Sequence, residues 1–209
     1  METKLIIFVK APRTGSVKTR IAKSMGDDAA CSAYKMLVVR LIENLRLLRQ
    51  VELRFFPDDA AGEIAPWLQK GWELRPQGDG DLGEKLKRAF LENFESGASR
   101  VLIIGSDCPA INADDIERAG AALATCDVVL GPATDGGYWL IGLRQPHPRL
   151  FENIPWSTET VLESTLSLAR ENGLSCHLLR ELNDVDLPED WEKYLREENP
   201  GNGKVRKNL

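Results

Sequence analysis

The chain has 209 residues, 43% of them hydrophobic, and a formal net charge of −5. This length fits one large domain better than two, and the apolar share is ordinary for a folded soluble protein. The acidic balance argues against nucleic acid as the main partner, because neutralising phosphates needs a broad basic face. In chain order, Lys4 to Lys10 (KLIIFVK) reads as a strand, followed by a Pro/Gly loop from Ala11 to Lys18. A helix is expected to begin near Asp27, where Ala30, Tyr34, Leu37, Val38, Leu41, Leu45 and Leu48 recur at helical spacing. Val51 to Phe56 reads as a strand, Ala60 to Lys70 as a short helix, Trp72 to Arg75 as a short strand and Gly78 to Gly83 as a loop.

Further along, Leu86 to Phe94 is helical in pattern and the run from Val101 is a strand. Asn112 offers an N-cap to a helix carrying Asp114 and Asp115 in its first turn. Asp127 to Leu130 is the next strand, and Asp135-Gly136-Gly137 signals a turn into the strand YWLIGL. Glu159 to Arg170 reads as helix, Leu174 to Leu179 as strand and Pro188 to Arg196 as a closing helix with Pro at its start. Strands alternating with helices predict an α/β domain with a mostly parallel sheet, in which the Asp135 turn takes at least one strand out of parallel order. The expected division is one domain over residues 1–199 and a frayed polar tail over 200–209.

Four cysteines (Cys31, Cys108, Cys126, Cys176) stand far apart without a CxxC pair, which favours neither a disulfide framework nor a thiolate zinc site. With only His147 and His177, a histidine metal centre or catalytic triad has little to build on. The early apolar stretch Leu5 to Val9 is too short for a signal-peptide core or a membrane span. The expectation is a cytoplasmic protein with reduced thiols and no membrane partner.

Chemistry is suggested first by VLIIGSDCP, Val101 to Pro109, an apolar run that stops on an aspartate followed closely by proline. A carboxylate at the carboxyl end of a buried parallel strand lies where open α/β sheets bind ligands. Asp107 is therefore the leading candidate, although a lone Asp also suits a turn or a helix cap. The loop APRTGSVKTR, Ala11 to Arg20, is the second signal: Lys10 to Lys23 holds five basic residues and no acidic one in an acidic chain. Such a loop after the first strand suits phosphate, with its Arg and Lys side chains as counter-charges and Gly15 allowing close backbone approach. It is not a Walker A loop, since the two required glycines fall on Pro12 and Val17.

Acidic residues recur at Asn183-Asp184-Val185-Asp186, after the last strand. Mg²⁺ or Mn²⁺ is commonly held by one or two carboxylates plus substrate phosphates, so Asp107 with Asp184 or Asp186 would suffice. Capping of the closing helix is the preferred reading of Asp186 by position, and an even alternative for Asp184. Two glycine-bearing loops complete the set: Gly78 to Gly83, and Gly131-Pro132 with Asp135 to Trp139, where a carboxylate beside aromatic rings suits sugar hydroxyls. Together these loops ask for a nucleotide, with displacement at or beside a phosphate.

The blocks LIIFVKAPRTGSVKTR, GDLGEKL, IGSDCPAI, GPATDGGYWLIGL, PWST and DVDLPEDW occur in this order along nearly the whole chain. They resemble the DUF2064 family of glycosyltransferase-like proteins, also described as transferase 1 associated with radical-SAM proteins and linked to arsenosugar biosynthesis. The resemblance implies a single-domain GT-A-like (Rossmann-like) fold of the nucleotide-diphospho-sugar transferase superfamily, which includes molybdenum-cofactor and phospholactate nucleotidyltransferases. By that resemblance Ala11, Pro12, Arg13, Gly15, Lys18 and Arg20 look like the nucleotide loop, and Gly80, Asp81 and Gly83 like further nucleotide contacts. Asp107 looks like the metal ligand of a DxD segment whose second carboxylate is absent here, as the segment reads SDCP. Asp184 and Asp186 match acidic positions that hold metal in nucleotidyltransferase relatives, while Asp135, Gly136, Gly137 and Tyr138 look like sugar or acceptor contacts. Cys108 stands where many members carry Ser.

The expected activity is metal-assisted sugar transfer from a nucleotide-diphospho-sugar to a small-molecule acceptor, with Mg²⁺ or Mn²⁺ at Asp107 and Asp135 orienting the acceptor or acting as base. A nucleotidyltransferase releasing pyrophosphate is the main rival, and a nucleotide-binding module without catalysis is the third reading. The oligomeric state is left open by the sequence.

Overall fold

The computed structural model describes residues 3–198, so the tail expected over 200–209 lies outside the described residues. Seven strands form one sheet in the order β3-β2-β1-β4-β6-β5-β7. Their ranges are β1 Thr3–Lys10, β2 Val51–Phe56, β3 Glu73–Pro76, β4 Arg100–Ile104, β5 Val128–Pro132, β6 Tyr138–Leu143 and β7 Cys176–Leu178. The helices are α1 Thr19–Met25, α2 Asp27–Leu45, α3 Ala61–Ile64, α4 Leu82–Glu95, α5 Ala113–Ala122, α6 Val161–Glu171 and α7 Pro188–Glu198, with 3₁₀ turns at Ala65–Trp67 and Pro148–Phe151. Strands β1 to β4 pair in parallel, β6 runs antiparallel to both β4 and β5, and β7 returns parallel to β5. The expected mostly parallel α/β sheet is thus present, and β6 is the strand that leaves the parallel order after the Asp135 turn.

Alternation along the central strands covers both faces of the sheet. Leu5, Ile7, Val9, Leu53, Phe55, Leu102 and Ile104 pack with Tyr34, Val38 and Leu41 of α2 and Ile116 and Ala119 of α5. On the other face Ile6, Val101, Ile103, Leu130 and Ile141 pack with Leu86, Ala89 and Phe90 of α4 and Ala169 of α6. Burial on both faces is what a parallel strand between helical layers requires. Beneath α4 the buried Arg54 guanidinium bonds Glu52 on the same strand face and reaches Glu92 Oε2 at 2.6 Å. No helix among the described residues is long and apolar enough to cross a membrane.

Several boundaries differ from the sequence reading for identifiable reasons. A seven-residue helix, α1, precedes the expected one and is separated from it by Gly26 at φ 85°. Helix α4 starts earlier than Leu86, because Asp81 and Glu84 form a complete capping box. The Ala60 to Lys70 segment splits into α3 and a 3₁₀ turn where Pro66 enters, and β7 shrinks to three residues at the sheet edge. Asn112 caps α5 as expected, with Asp115 completing the box.

Candidate functional site

Chain crossovers diverge to opposite sides of the sheet at β1 and β4, and open α/β sheets bind ligands at such a switch point beyond the strand ends. A cleft of about 900 Å³ opens there. Lys10, Lys18, Arg20, Gln77, Lys85, Ser106, Asp107, Asp135, Asp184 and Asp186 are among its lining. The Tyr34 hydroxyl fixes its floor: it accepts from Lys10 N at 2.8 Å and pairs with Ser106 Oγ at 3.1 Å, joining α2 to the ends of β1 and β4.

Three separate segments bring the acidic residues together. Val185 N donates to the Asp107 carbonyl at 2.9 Å, which zips the segment after β7 to the end of β4. Leu182 N donates to Pro132 O and Thr134 N to Leu182 O, so the β5–β6 turn lies alongside the same segment. That turn is tight: Asp135 Oδ1 accepts from Gly137 N at 2.8 Å, and a Cβ on Gly136 would stand 2.0 Å from the Glu159 carbonyl. Asp190 of α7 performs the capping that Asp186 was expected to do, accepting from Leu187 N at 2.9 Å and Asp186 N at 3.3 Å. The Asp186 side chain is thereby free to face the cleft.

Lys18 stands between these carboxylates. Its ammonium lies 2.5 Å from Asp107 Oδ1 and 2.7 Å from Asp186 Oδ1, and its side chain is only 3% exposed. The residue adopts a left-handed backbone, φ 49°, directly before α1, a conformation that costs a non-glycine residue energy and recurs at functional sites. Burial alone lowers its pKa, but Asp107 and Asp186 outweigh that and hold it raised. Asp184 has no such partner. Burial, then Asp135, Asp107 and Asp186, push its carboxyl up to about 7, and its Oδ1 is buried without a hydrogen-bond partner. Among the described residues no three His, Cys, Asp or Glu side chains form a ready-made metal cage. The orphaned Asp184 oxygen beside the Lys18-bridged carboxylates still fits a divalent ion that takes one or two carboxylates and completes its shell with phosphate and water. Residues Asp107, Asp184 and Asp186 would hold it.

Lys10, Arg20 and Lys85 also line the cleft, and Lys10 lies close enough to Lys85 to act on its charge. The Lys85 ammonium sits 3.7 Å above the Phe56 ring, and its pKa is lowered by burial and then by Lys10. Two cations that disfavour each other gain from a shared anion.

The sequence-derived candidates are partly assembled here. Lys18, Arg20, Asp107, Asp135, Gly137, Tyr138, Asp184 and Asp186 line the cleft. Arg13 does not: its guanidinium bonds Glu63 and Asp59 at the outer face of the loop. Ala11, Pro12 and Gly15 also stand outside the lining, with Ala11 buried in the core and Gly15 turning the loop at φ 78°. Gly80, Asp81 and Gly83 serve α4 instead, since Asp81 caps it and a Cβ on Gly83 would meet Phe151 O and Trp156 Nε1 at 2.8 Å. The Tyr138 hydroxyl is buried, which leaves its ring and backbone to shape the cleft. Cys108 is buried and its thiol pushed up to about 12 by burial and Asp184, so it is a packing residue. Lys85, Gln77 and Ser106 were not singled out in the sequence. Lys85 falls on a helix whose start was misplaced by four residues, and Gln77 follows a strand too short to be distinctive. A second hollow of about 450 Å³ near Asp115 and Arg180 offers less, as those two side chains already pair at 2.7 Å.

Comparison with known proteins fits this geometry. A family model described as "Uncharacterized protein conserved in bacteria (DUF2064)" matches residues 43–158, a span holding Asp107 and Asp135. The chain is 28% identical over 194 residues to phosphoenolpyruvate guanylyltransferase from Sphaerobacter thermophilus, covering 90% of this chain and 91% of the relative. A Desulfovibrio desulfuricans G20 structure, provisionally described as a nucleotide-diphospho-sugar transferase, superposes with a TM-score of 0.87 at 32% identity. It covers 99% of this chain and 91% of its own. The CMP:2-keto-3-deoxy-manno-octonic acid synthetase solved with CTP shares the fold, with a TM-score of 0.59, 10% identity and coverage of 96% and 99%.

Proposed function

The chain belongs to the DUF2064 family, and from that premise we propose that it is a nucleotidyltransferase: it binds a nucleoside triphosphate in this cleft and joins the nucleotidyl group to a phosphorylated small molecule, releasing pyrophosphate. The observation that carries this reading is the meeting of Asp107 with Asp184 and Asp186 around the Lys18 ammonium. The segment after β4 reads SDCP and supplies Asp107 without a second carboxylate. The carboxylate set is instead split between the end of β4 and the segment after β7, the arrangement implied by the resemblance to nucleotidyltransferases. The similarity to a guanylyltransferase along nine-tenths of the chain supports the same choice.

In this mechanism Asp107, Asp184 and Asp186 would hold a divalent ion, which when bound would supply Lewis-acid stabilisation of charge on the phosphoryl oxygens. Lys10, Arg20 and Lys85 hold the polyphosphate and neutralise the pyrophosphate as it leaves. Lys18 contributes an ammonium held between Asp107 and Asp186. The acceptor phosphate is already an anion, so its attack needs positioning more than a base, and Asp135, held by Gly137 N, would orient donor groups elsewhere on the acceptor. Trp156 to Glu159 border the side of the cleft where the acceptor would enter.

Sugar transfer from a nucleotide-diphospho-sugar is the second reading, favoured by the 32% identical Desulfovibrio structure. In it Asp135 would act as base on an acceptor hydroxyl. Product analysis separates the two. Incubation with the four nucleoside triphosphates and phosphorylated hydroxy or enol acids, GTP with phosphoenolpyruvate first, should release pyrophosphate in the presence of Mn²⁺ or Mg²⁺. Release of nucleoside diphosphate from a nucleotide-sugar, with no pyrophosphate from any triphosphate, would replace the first reading with the second.

A further inference from the structure

In the carboxylate cluster the position between Asp107 and Asp186 is taken by a cation of the protein itself. Lys18 Nζ contacts both at 2.5 and 2.7 Å from a side chain that is 3% exposed, whereas the two acidic side chains are 46% and 41% exposed. The acids therefore open to the cleft while the ammonium is tucked behind them. Asp184, beside the pair, keeps a buried oxygen without a partner, and Asp107 and Asp186 already outnumber the single Lys18 charge.

Backbone and side chain of Lys18 have different freedom. The backbone is pinned, because Val17 is buried in the core and Thr19 begins α1. The side chain is a compact charge on a flexible four-carbon stem that can exchange partners within reach. Arg20 lies two residues on and lines the same cleft, with Lys10 and Lys85 also in its lining. An incoming polyphosphate would thus be drawn to the neighbourhood of Lys18 and would offer its ammonium a second set of oxygens.

We infer that Lys18 is the exchangeable cation of the cluster, coupling the two ligands: without nucleotide it neutralises Asp107 and Asp186, and on nucleotide binding it passes to a phosphate while a divalent ion takes its place. This rests on the nucleotide reading of the cleft. It has a counterintuitive consequence. A metal arriving alone must displace an ammonium that has no phosphate to receive it, so metal and nucleotide favour each other's binding. Such coupling is reciprocal.

The test is a Mn²⁺ titration followed by electron paramagnetic resonance, without nucleotide, on the wild type, Lys18→Met and Lys18→Arg. Removing the resident charge should tighten Mn²⁺ binding by roughly 5- to 150-fold in Lys18→Met, the usual span of coupling between sites, while Lys18→Arg stays near wild type. Equal or weaker Mn²⁺ binding in Lys18→Met overturns the exchange. If Lys18→Met fails to fold, the wild type alone decides. Acetylation of Lys18 by an N-hydroxysuccinimide ester, read by peptide mass spectrometry, should rise when Mn²⁺ displaces the ammonium, and an unchanged or lower yield overturns the proposal. Binding of the four nucleoside triphosphates to wild type with Mn²⁺ serves as the control. No binding by any of them defeats the nucleotide reading and the coupling together, whereas binding with equal Mn²⁺ affinities in wild type and Lys18→Met defeats the coupling alone.

Discussion

Burying a carboxylate among other carboxylates disfavours its charge, and Asp184 bears that cost in this fold. With its carboxyl pushed up to about 7, the folded chain holds a proton that the unfolded chain has already released. The sign follows: this contribution to stability is full below about pH 4 and is lost as the pH rises through about 7. Asp184→Asn removes the charge, so at pH 8 it should raise stability by on the order of 1–3 kcal/mol. Near pH 4 the gain should vanish. Thermal melts at the two pH values check this, and a variant less stable at pH 8 would contradict the buried-carboxylate picture. Stabilisation by removal of a charge marks a group kept for chemistry. Asp135 discriminates at the same scale. Asp135→Asn should cost nucleotidyl transfer modestly, because the amide oxygen can still accept from Gly137 N, whereas a general base replaced by an amide loses about 10²–10⁴-fold in kcat.

Single residues also decide how the elements dock. Asp127, just before β5, accepts from Ser175 N at 2.9 Å and Ser175 Oγ at 2.5 Å and pairs with Arg144. The Ser175 bonds, then Arg144, hold its carboxyl down to about 2. Here the sign is opposite: the stabilisation is present above the ordinary carboxylate range and is lost as the pH falls through about 2. Asp127→Asn should therefore cost on the order of 2 kcal/mol at pH 7 and progressively less in acid, read by urea unfolding. Hydrogen exchange should locate the loss at β7, the three-residue edge strand that this cluster anchors to β5. At the other end, Asp190→Ala removes the acceptor for the backbone of Asp186 and Leu187, a cap worth about 1 kcal/mol. Because that cap orients the acidic segment, Mn²⁺ affinity should fall together with stability.

The elements show how much could be read from the chain. Strands β1, β2, β4 and β6 were visible because dense Ile, Val, Leu and Phe runs ended at turn chemistry, and the Asp135-Gly136-Gly137 turn foretold the antiparallel strand. Helix α1 was missed because seven residues with only Ile21 buried leave no periodic stripe to detect. Of the site, the carboxylates and the basic loop were legible from position alone, since loops after β1 and β4 meet at the switch point. Pairing was not. Nothing local to Arg13 announces that Asp59 and Glu63, 46 and 50 residues on, draw it away from the cleft. Nor does anything near Asp186 reveal that Asp190 supplies the cap. Lys18, by contrast, was marked by charge and turns out to face carboxylates 89 and 168 residues away, a contact only the fold creates.

At the scale of the whole molecule, a three-layer sandwich gathers acids from the end of β4, the β5–β6 turn and the segment after β7 on one side of a cleft. Cations from β1, α1 and α4 line the same cleft. That combination suits a polyphosphate carrying a divalent ion, and it defines the central claim. Most direct is a calorimetric titration of each nucleoside triphosphate into wild type and Asp107→Asn, with and without Mn²⁺, followed by a pyrophosphate assay with a phosphorylated acceptor. The account predicts that one triphosphate binds wild type in a Mn²⁺-dependent manner, that Asp107→Asn folds but loses the Mn²⁺ dependence, and that pyrophosphate appears when the acceptor is present. Binding of that triphosphate with the same affinity and the same Mn²⁺ dependence in both proteins would contradict it.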